Sequence, residues 1–135
     1  MLDFTAHEAA ALYLALNLIL LFILGYKTIK VRHSTGIGLG HDDNDEMMRA
    51  MRIHANFAEY APLPILGLFA LGLLGAPVFI IHIFGIVFTL ARYAHGFGFQ
   101  AEEGKRPLGR FYGTLFTGLT LLSEAVALLY FVFVG

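Results

Sequence analysis

The chain has 135 residues, of which 58% are hydrophobic and only 14% charged. A soluble domain carries about 25% charged residues, so this composition argues against a soluble protein and favours an integral membrane protein. The chain contains no cysteine, which excludes disulfides and thiol chemistry by its own side chains.

Apolar residues form four blocks, and a helix needs roughly 20 of them to cross the hydrocarbon core of a bilayer. The first block runs from Ala9 to Tyr26, and the second runs from near Phe57 to Gly75, before a turn. The third block is short, so we extend it to His95 and expect Arg92 to reach toward the membrane interface. We predict one all-α membrane domain over residues 1–135, with spans at about 7–27, 47–75, 77–96 and 109–134.

All nine basic residues lie in or beside two of the three loops. Because positively charged loops stay in the cytoplasm, we expect the first and third loops to be cytoplasmic and both termini periplasmic. The residues are Lys27, Lys30, Arg32, Arg49 and Arg52 at the first loop, and Arg92, Lys105, Arg106 and Arg110 at the third.

The first loop has two parts. Residues 34–40 are rich in glycine and are expected to be flexible. The acidic run 42–46 then predicts a helix start, because acidic residues favour the N-terminal end of a helix. No helix breaker follows before Pro62, so this helix is expected to begin in the cytoplasm and to enter the membrane without a break.

This second helix carries a polar stripe. At 100° per residue, its members project within an arc of roughly 80°. One interpretation is a solvated face with ion pairs four residues apart. The other is an interior site, because the last members adjoin the apolar block and a charge costs about 2.5–3.5 kcal/mol at mid-bilayer. We favour the interior site. The stripe consists of Asp45, Arg49, Arg52, Asn56 and Glu59, with Tyr60 at its border.

The third span ends with Arg92 and His95, near the same boundary as the polar stripe. Arg92 either extends to lipid phosphates or joins a site, and the sequence leaves both open. With the other cations it forms a basic rim that suits an anionic ligand, and anionic lipid headgroups would satisfy that rim equally well.

In the fourth span, Gly113, Thr117, Thr120 and Glu124 fall on one stripe, which mainly predicts helix packing. Glu124 near mid-span is either protonated or meets a polar group such as His82 or Asn17 of another helix. This acidic residue also raises the hypothesis of a small transporter. No metal site and no nucleic-acid binding are predicted.

The segment 52–62, RIHANFAEYAP, contains the pattern R-x-x-x-N-x-x-E-Y-x-P. It resembles the signature of the MAPEG family, the membrane-associated proteins in eicosanoid and glutathione metabolism. Residues 82–98 are similar to the third span of small bacterial members, and 109–114 to the start of their fourth span. The resemblance covers essentially the whole chain.

The resemblance implies a left-handed bundle of four helices that assembles as a homotrimer in a bacterial inner membrane. It implies glutathione as co-substrate, bound between subunits at the cytoplasmic end, and membrane lipids and a lipophilic electrophile as partners. The implied glutathione-binding residues are Arg32, Arg49, Arg52, Asn56, Glu59, Tyr60, Arg92 and His95.

Arg110 is similar to the arginine that stabilises the glutathione thiolate in relatives, with Arg106 as the alternative. The implied reaction is thiol transfer to an electrophile or reduction of a lipid hydroperoxide. In many relatives a tyrosine at the end of the third helix contacts glutathione, whereas this chain has Phe97 and Phe99 there. A non-catalytic lipid- or ligand-binding scaffold of the same fold is therefore the second hypothesis.

Overall fold

The structure, a computed structural model, describes residues 4–98 and 107–135. These residues form five helices: α1 (Ala6–Thr35), α2 (Asp45–Tyr60), α3 (Pro62–Leu73), α4 (Val78–Phe97) and α5 (Leu108–Phe133). Four helical segments are long and apolar enough to cross a membrane, because α2 and α3 together make one of them, Asp45–Leu73. This confirms the predicted all-α, four-span architecture.

Helix α1 has strong signals at both ends. The side chain of Thr5 accepts a hydrogen bond from the backbone N–H of Glu8, whose carboxylate in turn accepts one from the backbone N–H of Thr5. At the other end Gly36 adopts φ 71° and donates its N–H to the carbonyl of Arg32. Residues 34 and 35 are therefore helical, although the sequence predicted that flexibility starts at residue 34.

Helix α2 begins where the acidic run predicted a start. Asn44 is its N-cap, and the side-chain oxygen of Asn44 accepts a hydrogen bond from the N–H of Met47 at 2.9 Å. Pro62 lacks an N–H, so one helical hydrogen bond is missing at the junction with α3. Ala61 nevertheless keeps helical angles and bonds to both Phe57 and Ile65. The backbone thus continues through the junction as one span.

Glycines let the helices approach closely at several crossings. A β-carbon on Gly85 of α4 would overlap the ring of Tyr13 on α1. One on Gly98 would lie 2.5 Å from the Cα of Gly109, at the start of α5. The described part of the core is apolar and includes Ala9, Ala10, Leu20, Leu24, Phe57, Leu68, Leu71, Ile81 and Phe88.

The helices alternate in direction, so the bundle has two distinct ends. At one end Phe4 packs edge-on to His82, and Ala6 lies against Gly72. At the other end Lys27 stacks on Phe97, where α1 and α4 end and α2 and α5 begin. We call this second end the basic end, because Lys27, Lys30, Arg32, Arg49, Arg52 and Arg110 lie there.

The interior contains polar groups that a soluble core rarely has. Glu124 is 3% exposed. A β-carbon on Gly67 would lie only 2.7 Å from the carboxylate of Glu124, so the two helices pack closely here. The suggestion that it meets His82 or Asn17 is not supported. His82 instead bonds the Tyr13 hydroxyl at 2.6 Å, and the Asn17 amide donates to Thr89 at 2.9 Å. Within the described residues, Oε1 of Glu124 has no hydrogen-bond partner.

Candidate functional site

Arg92 lies inside the bundle and is only 1% exposed. Its guanidinium donates to Oδ1 of Asn56 on α2 at 2.8 Å and to the hydroxyl of Thr117 on α5 at 3.4 Å. The expectation that Arg92 reaches out to the membrane interface is therefore wrong. The reason is geometric: α4 turns this position toward α2 and α5, which supply acceptors at the depth of the side chain.

Two aromatic rings complete the surroundings of Arg92. Its guanidinium carbon lies 5.6 Å from the ring centre of Phe57 and 6.0 Å from that of Tyr60. Such rings stabilise a cation without a formal countercharge. Among residues 4–98 and 107–135, no carboxylate lies within 4.0 Å of this guanidinium. We call Arg92, Asn56 and Thr117 the arginine cluster.

On helix α2, the side chains of Arg52 and Glu59 point outward from the bundle. Their side chains are 59% and 54% exposed, with the closest guanidinium nitrogen and carboxylate oxygen 3.9 Å apart. Tyr60 is 43% exposed and follows directly on this face. Asn56 turns inward, and its Oδ1 accepts the hydrogen bond from Arg92. We call Arg52, Glu59 and Tyr60 the outer face of α2.

The structure therefore divides the polar stripe that the sequence predicted. Arg49 belongs to neither the arginine cluster nor the outer face of α2; it lines a separate cavity between α1, α2 and α4. Arg32 donates to the carbonyls of Ile37 and Gly40 at 3.2 and 3.3 Å, which ties the first loop to the end of α1.

The remaining predicted residues lie on α4 and α5. His95 is buried, and its Cβ would be 2.7 Å from a β-carbon on Gly113 of α5. Arg110 is exposed in the first turns of α5 and borders a surface depression of about 550 Å³, together with Phe111, Thr114 and other residues. Arg106, the alternative to Arg110, lies outside the described residues, as does Phe99.

Some participants were not assigned to a site from the sequence. Thr117 was interpreted as packing, yet its hydroxyl accepts from Arg92 and donates to the Gly113 carbonyl at 2.7 Å. Phe57 was interpreted as part of an apolar block, yet its ring faces the guanidinium of Arg92. No local signal marks either role, because both depend on the register between helices. No group of three or more His, Cys, Asp or Glu residues suited to a metal occurs within the described parts of the chain.

This geometry defines a four-span membrane protein in which Arg92 is buried between helices and the exposed ion pair of Arg52 and Glu59 lies on the neighbouring helix α2. Residues 10–130 match the model of the MAPEG family, and the chain belongs to that family. It is similar to the inner membrane protein YecN of Escherichia coli K12, with 32% identity over 91 residues, which are 67% of this chain and 70% of YecN. YecN of E. coli O6:H1 strain CFT073 matches equally well. No solved structure matches significantly.

Proposed function

We propose that this protein is a membrane-bound, glutathione-dependent transferase or peroxidase that acts on lipophilic electrophiles. The observation that carries the proposal is the outer face of α2, where Arg52, Glu59 and Tyr60 are about half exposed beside the hydrogen bond between Asn56 and the buried Arg92. Arg52, Asn56, Glu59 and Tyr60 are also the four motif positions by which the sequence resembles glutathione-binding relatives.

The outer face of α2 has charges that are complementary to a zwitterionic peptide. A glutathione carboxylate can accept hydrogen bonds from Arg52, and its ammonium group can donate to Glu59. Exposed ion pairs contribute about 0–1 kcal/mol, so a ligand can compete with the existing contact at 3.9 Å. The part-buried hydrogen bond between Asn56 and Arg92 then serves to hold α2 in register with α4.

The thiol needs a cation to become a nucleophile. A nearby guanidinium favours the thiolate over the thiol, and we assign this role to Arg110, with Arg106 as the alternative. The depression beside Arg110 is largely apolar in its lining, with Phe111 and Leu115 among the residues. Such a wall suits a lipophilic substrate that enters from the bilayer.

The chemistry needs no metal. In the transferase reaction, the thiolate sulfur forms a bond to an electrophilic carbon, and the leaving group departs with its electron pair. In the peroxidase reaction, two glutathione molecules supply two electrons and two protons. The O–O bond of a hydroperoxide breaks to give an alcohol and water, and glutathione disulfide forms. The proposed assembly is a homotrimer, in which a neighbouring subunit covers the outer face of α2.

Glutathione binding tests the proposal directly. Calorimetric titration of the purified chain should show binding of reduced glutathione, and Arg52→Ala should weaken it about tenfold or more, since a hydrogen bond to a charged group contributes about 1.5–3 kcal/mol. Lys30→Ala is the matched control, because it removes a cation from the same end but not from the outer face of α2. Absence of binding to the unmodified chain would contradict the proposal.

Turnover is a separate measurement. Conjugation of a chlorinated dinitrobenzene, or reduction of a fatty-acid hydroperoxide, should depend on glutathione and should fall strongly in Arg110→Ala. Ultraviolet thiolate absorbance on adding glutathione should fall in parallel. Binding without turnover would instead support the second candidate, a non-catalytic lipid- or ligand-binding scaffold. The specific observation in favour of the scaffold is Phe97, whose ring stacks under Lys27 and has no hydroxyl to offer a thiol.

A further inference from the structure

The cavity that Arg49 lines between α1, α2 and α4 lies at the basic end and has a volume of about 420 Å³. Three cations line it, Lys27, Lys30 and Arg49, and they share the wall with a single carboxylate, that of Glu46. The rest of the wall is mostly apolar and includes Leu24, Ile53, Gly96 and Phe97. We call it the lysine cavity.

The lysine cavity is distinct from the residues of the proposed function. Neither Arg52 nor Glu59 lines it, because both point outward from α2. Arg92 precedes Gly96 by one turn of α4 and lies in the arginine cluster instead. Among the residues that line the lysine cavity, Arg49 is the one that the sequence assigned to the glutathione site.

Among the described residues, no carboxylate lies within 4.0 Å of Lys27, Lys30 or Arg49. Glu46 shares the wall with them, so the three cations outnumber the one carboxylate of the lining. The ammonium of Lys27 lies 4.3 Å from the centre of the Phe97 ring, which positions it without neutralising it. Clustered positive groups in a cleft attract anions.

The depth of the cavity indicates what kind of anion it takes. The apolar block of α1 ends at Tyr26, so Lys27 and Lys30 lie in the first turns beyond it, at the level of lipid headgroups. Leu24, one turn deeper, is only 2% exposed, and the walls around it are apolar. A ligand with a phosphate at the lysines and a hydrocarbon chain below them matches this gradient.

We propose that the lysine cavity is a binding site for the phosphate headgroup of an anionic phospholipid. Lys27 and Lys30 contact the phosphate, and Arg49 closes the site from α2. The apolar wall contacts the first carbons of an acyl chain. This site is independent of glutathione, so it holds whether or not the proposed enzymatic function does.

The test uses the purified full chain, stripped of lipid in detergent. Phosphatidylglycerol and phosphatidylcholine with identical acyl chains are added, and bound lipid is counted by native mass spectrometry. We expect a preference for phosphatidylglycerol. In the double variant Lys27→Gln, Lys30→Gln its affinity should fall about 25-fold, or about fivefold per lysine, and the preference should disappear. The variant Lys27→Arg, Lys30→Arg should retain it, which shows that the fold tolerates changes there.

A second double variant separates the cavity from diffuse attraction. Arg52→Gln, Arg110→Gln also removes two charges from the basic end but none from the cavity, and it should keep the lipid preference. Equal losses in both double variants would overturn the proposal. Displacement of the lipid by an equal concentration of inorganic phosphate would also overturn it, because the ligand would then be a free anion.

Glutathione titration keeps the two proposals apart. The variant Lys27→Gln, Lys30→Gln should bind glutathione like the unmodified chain. If it lost glutathione binding and kept the lipid preference, the cavity would be the glutathione site and the lipid proposal would be wrong. Loss of glutathione binding in Arg52→Ala bears on the proposed function alone.

Discussion

The cations near the basic end differ in their burial: Arg92 is enclosed by the bundle, whereas Lys27 and Lys30 are exposed. Arg92 is 1% exposed and has Asn56, Thr117 and two aromatic rings around it. Lys27 and Lys30 are exposed, and within the described residues no carboxylate pairs with them. A buried charge is costly unless hydrogen-bonded, so Arg92 must be satisfied by the protein itself. The exposed lysines are solvated and remain available to a ligand.

This difference in burial predicts a role in stability for the arginine cluster and a role in ligand binding for the lysine cavity. Removing a member of the arginine cluster should mainly reduce the free energy of unfolding, because Arg92 and Thr117 are buried and a buried polar group that loses its partner is costly. Removing a cation of the lysine cavity should mainly change ligand affinity. Four sets of variants test this division, in decreasing order of the change expected.

Truncation of Arg92 should have the largest effect on stability. Arg92→Ala leaves Oδ1 of Asn56 without its partner and opens a void, so we expect a loss of about 3 kcal/mol in the free energy of unfolding. Denaturation in mixed micelles measures it. Lys30→Ala, an exposed control at the same end, should change stability by less than about 0.5 kcal/mol. Equal stability of the two variants would contradict a structural role for the arginine cluster.

A methyl group on the interior face of α4 should have the next largest effect. In Gly85→Ala the new carbon overlaps the Tyr13 ring, which must move together with its hydrogen bond to His82. Overpacking of this kind costs about 1–3 kcal/mol. Gly118→Ala on α5 is the matched control, because its β-carbon meets nothing within 4 Å. We expect the control to be neutral or slightly stabilising, since alanine favours helix more than glycine. Similar losses of stability in the two variants would show that the backbone freedom of glycine, and not its close packing against Tyr13, causes the effect.

Loss of the Phe97 ring should have a smaller effect, confined to the lysine cavity. Phe97→Leu keeps an apolar side chain but removes the ring under the Lys27 ammonium. Exposed cation–π contacts contribute about 0.5–1 kcal/mol, so the affinity for phosphatidylglycerol should fall about two- to fivefold. Native mass spectrometry measures it. Phe111→Leu, an exposed phenylalanine on α5, should leave lipid affinity unchanged. A larger loss in the control would assign the effect to general surface hydrophobicity.

The smallest expected effect concerns the stability contribution of the outer face of α2. Arg52→Ala and Glu59→Gln should each change the free energy of unfolding by less than about 1 kcal/mol, because their ion pair is exposed. A double-mutant cycle on thermal unfolding measures the coupling. Coupling above about 2 kcal/mol would show that the pair is structural, which would weaken its assignment to ligand binding.

Much of the architecture could be predicted from the sequence, because membrane insertion depends on local composition. Four apolar blocks predicted four spans, and the acidic run 42–46 predicted the start of α2 at Asp45. The pattern over residues 52–62 indicated the family, which the match over residues 10–130 confirms. The homotrimer, glutathione and the orientation of the termini stay predictions.

The sites could be predicted only in part. Helical periodicity predicts that Arg49, Arg52, Asn56 and Glu59 share one arc of α2, but it does not say where neighbouring helices lie. The structure turns Asn56 toward Arg92, leaves Arg52 and Glu59 outside, and directs Arg49 to the lysine cavity. The hydrogen bond that turns Asn56 inward, for example, joins residues 36 positions apart in the chain.

The amino-acid sequence is sufficient to predict four membrane spans with the cations at one end, because hydrophobic length and charge distribution follow from local composition. Which cations are buried and which are available depends on the tertiary structure. Arg92 and Lys27 are both basic residues near the end of an apolar block, yet one is enclosed by α2 and α5 while the other rests on a single ring. The difference follows from how the helices pack, and packing depends on shape and register between distant segments.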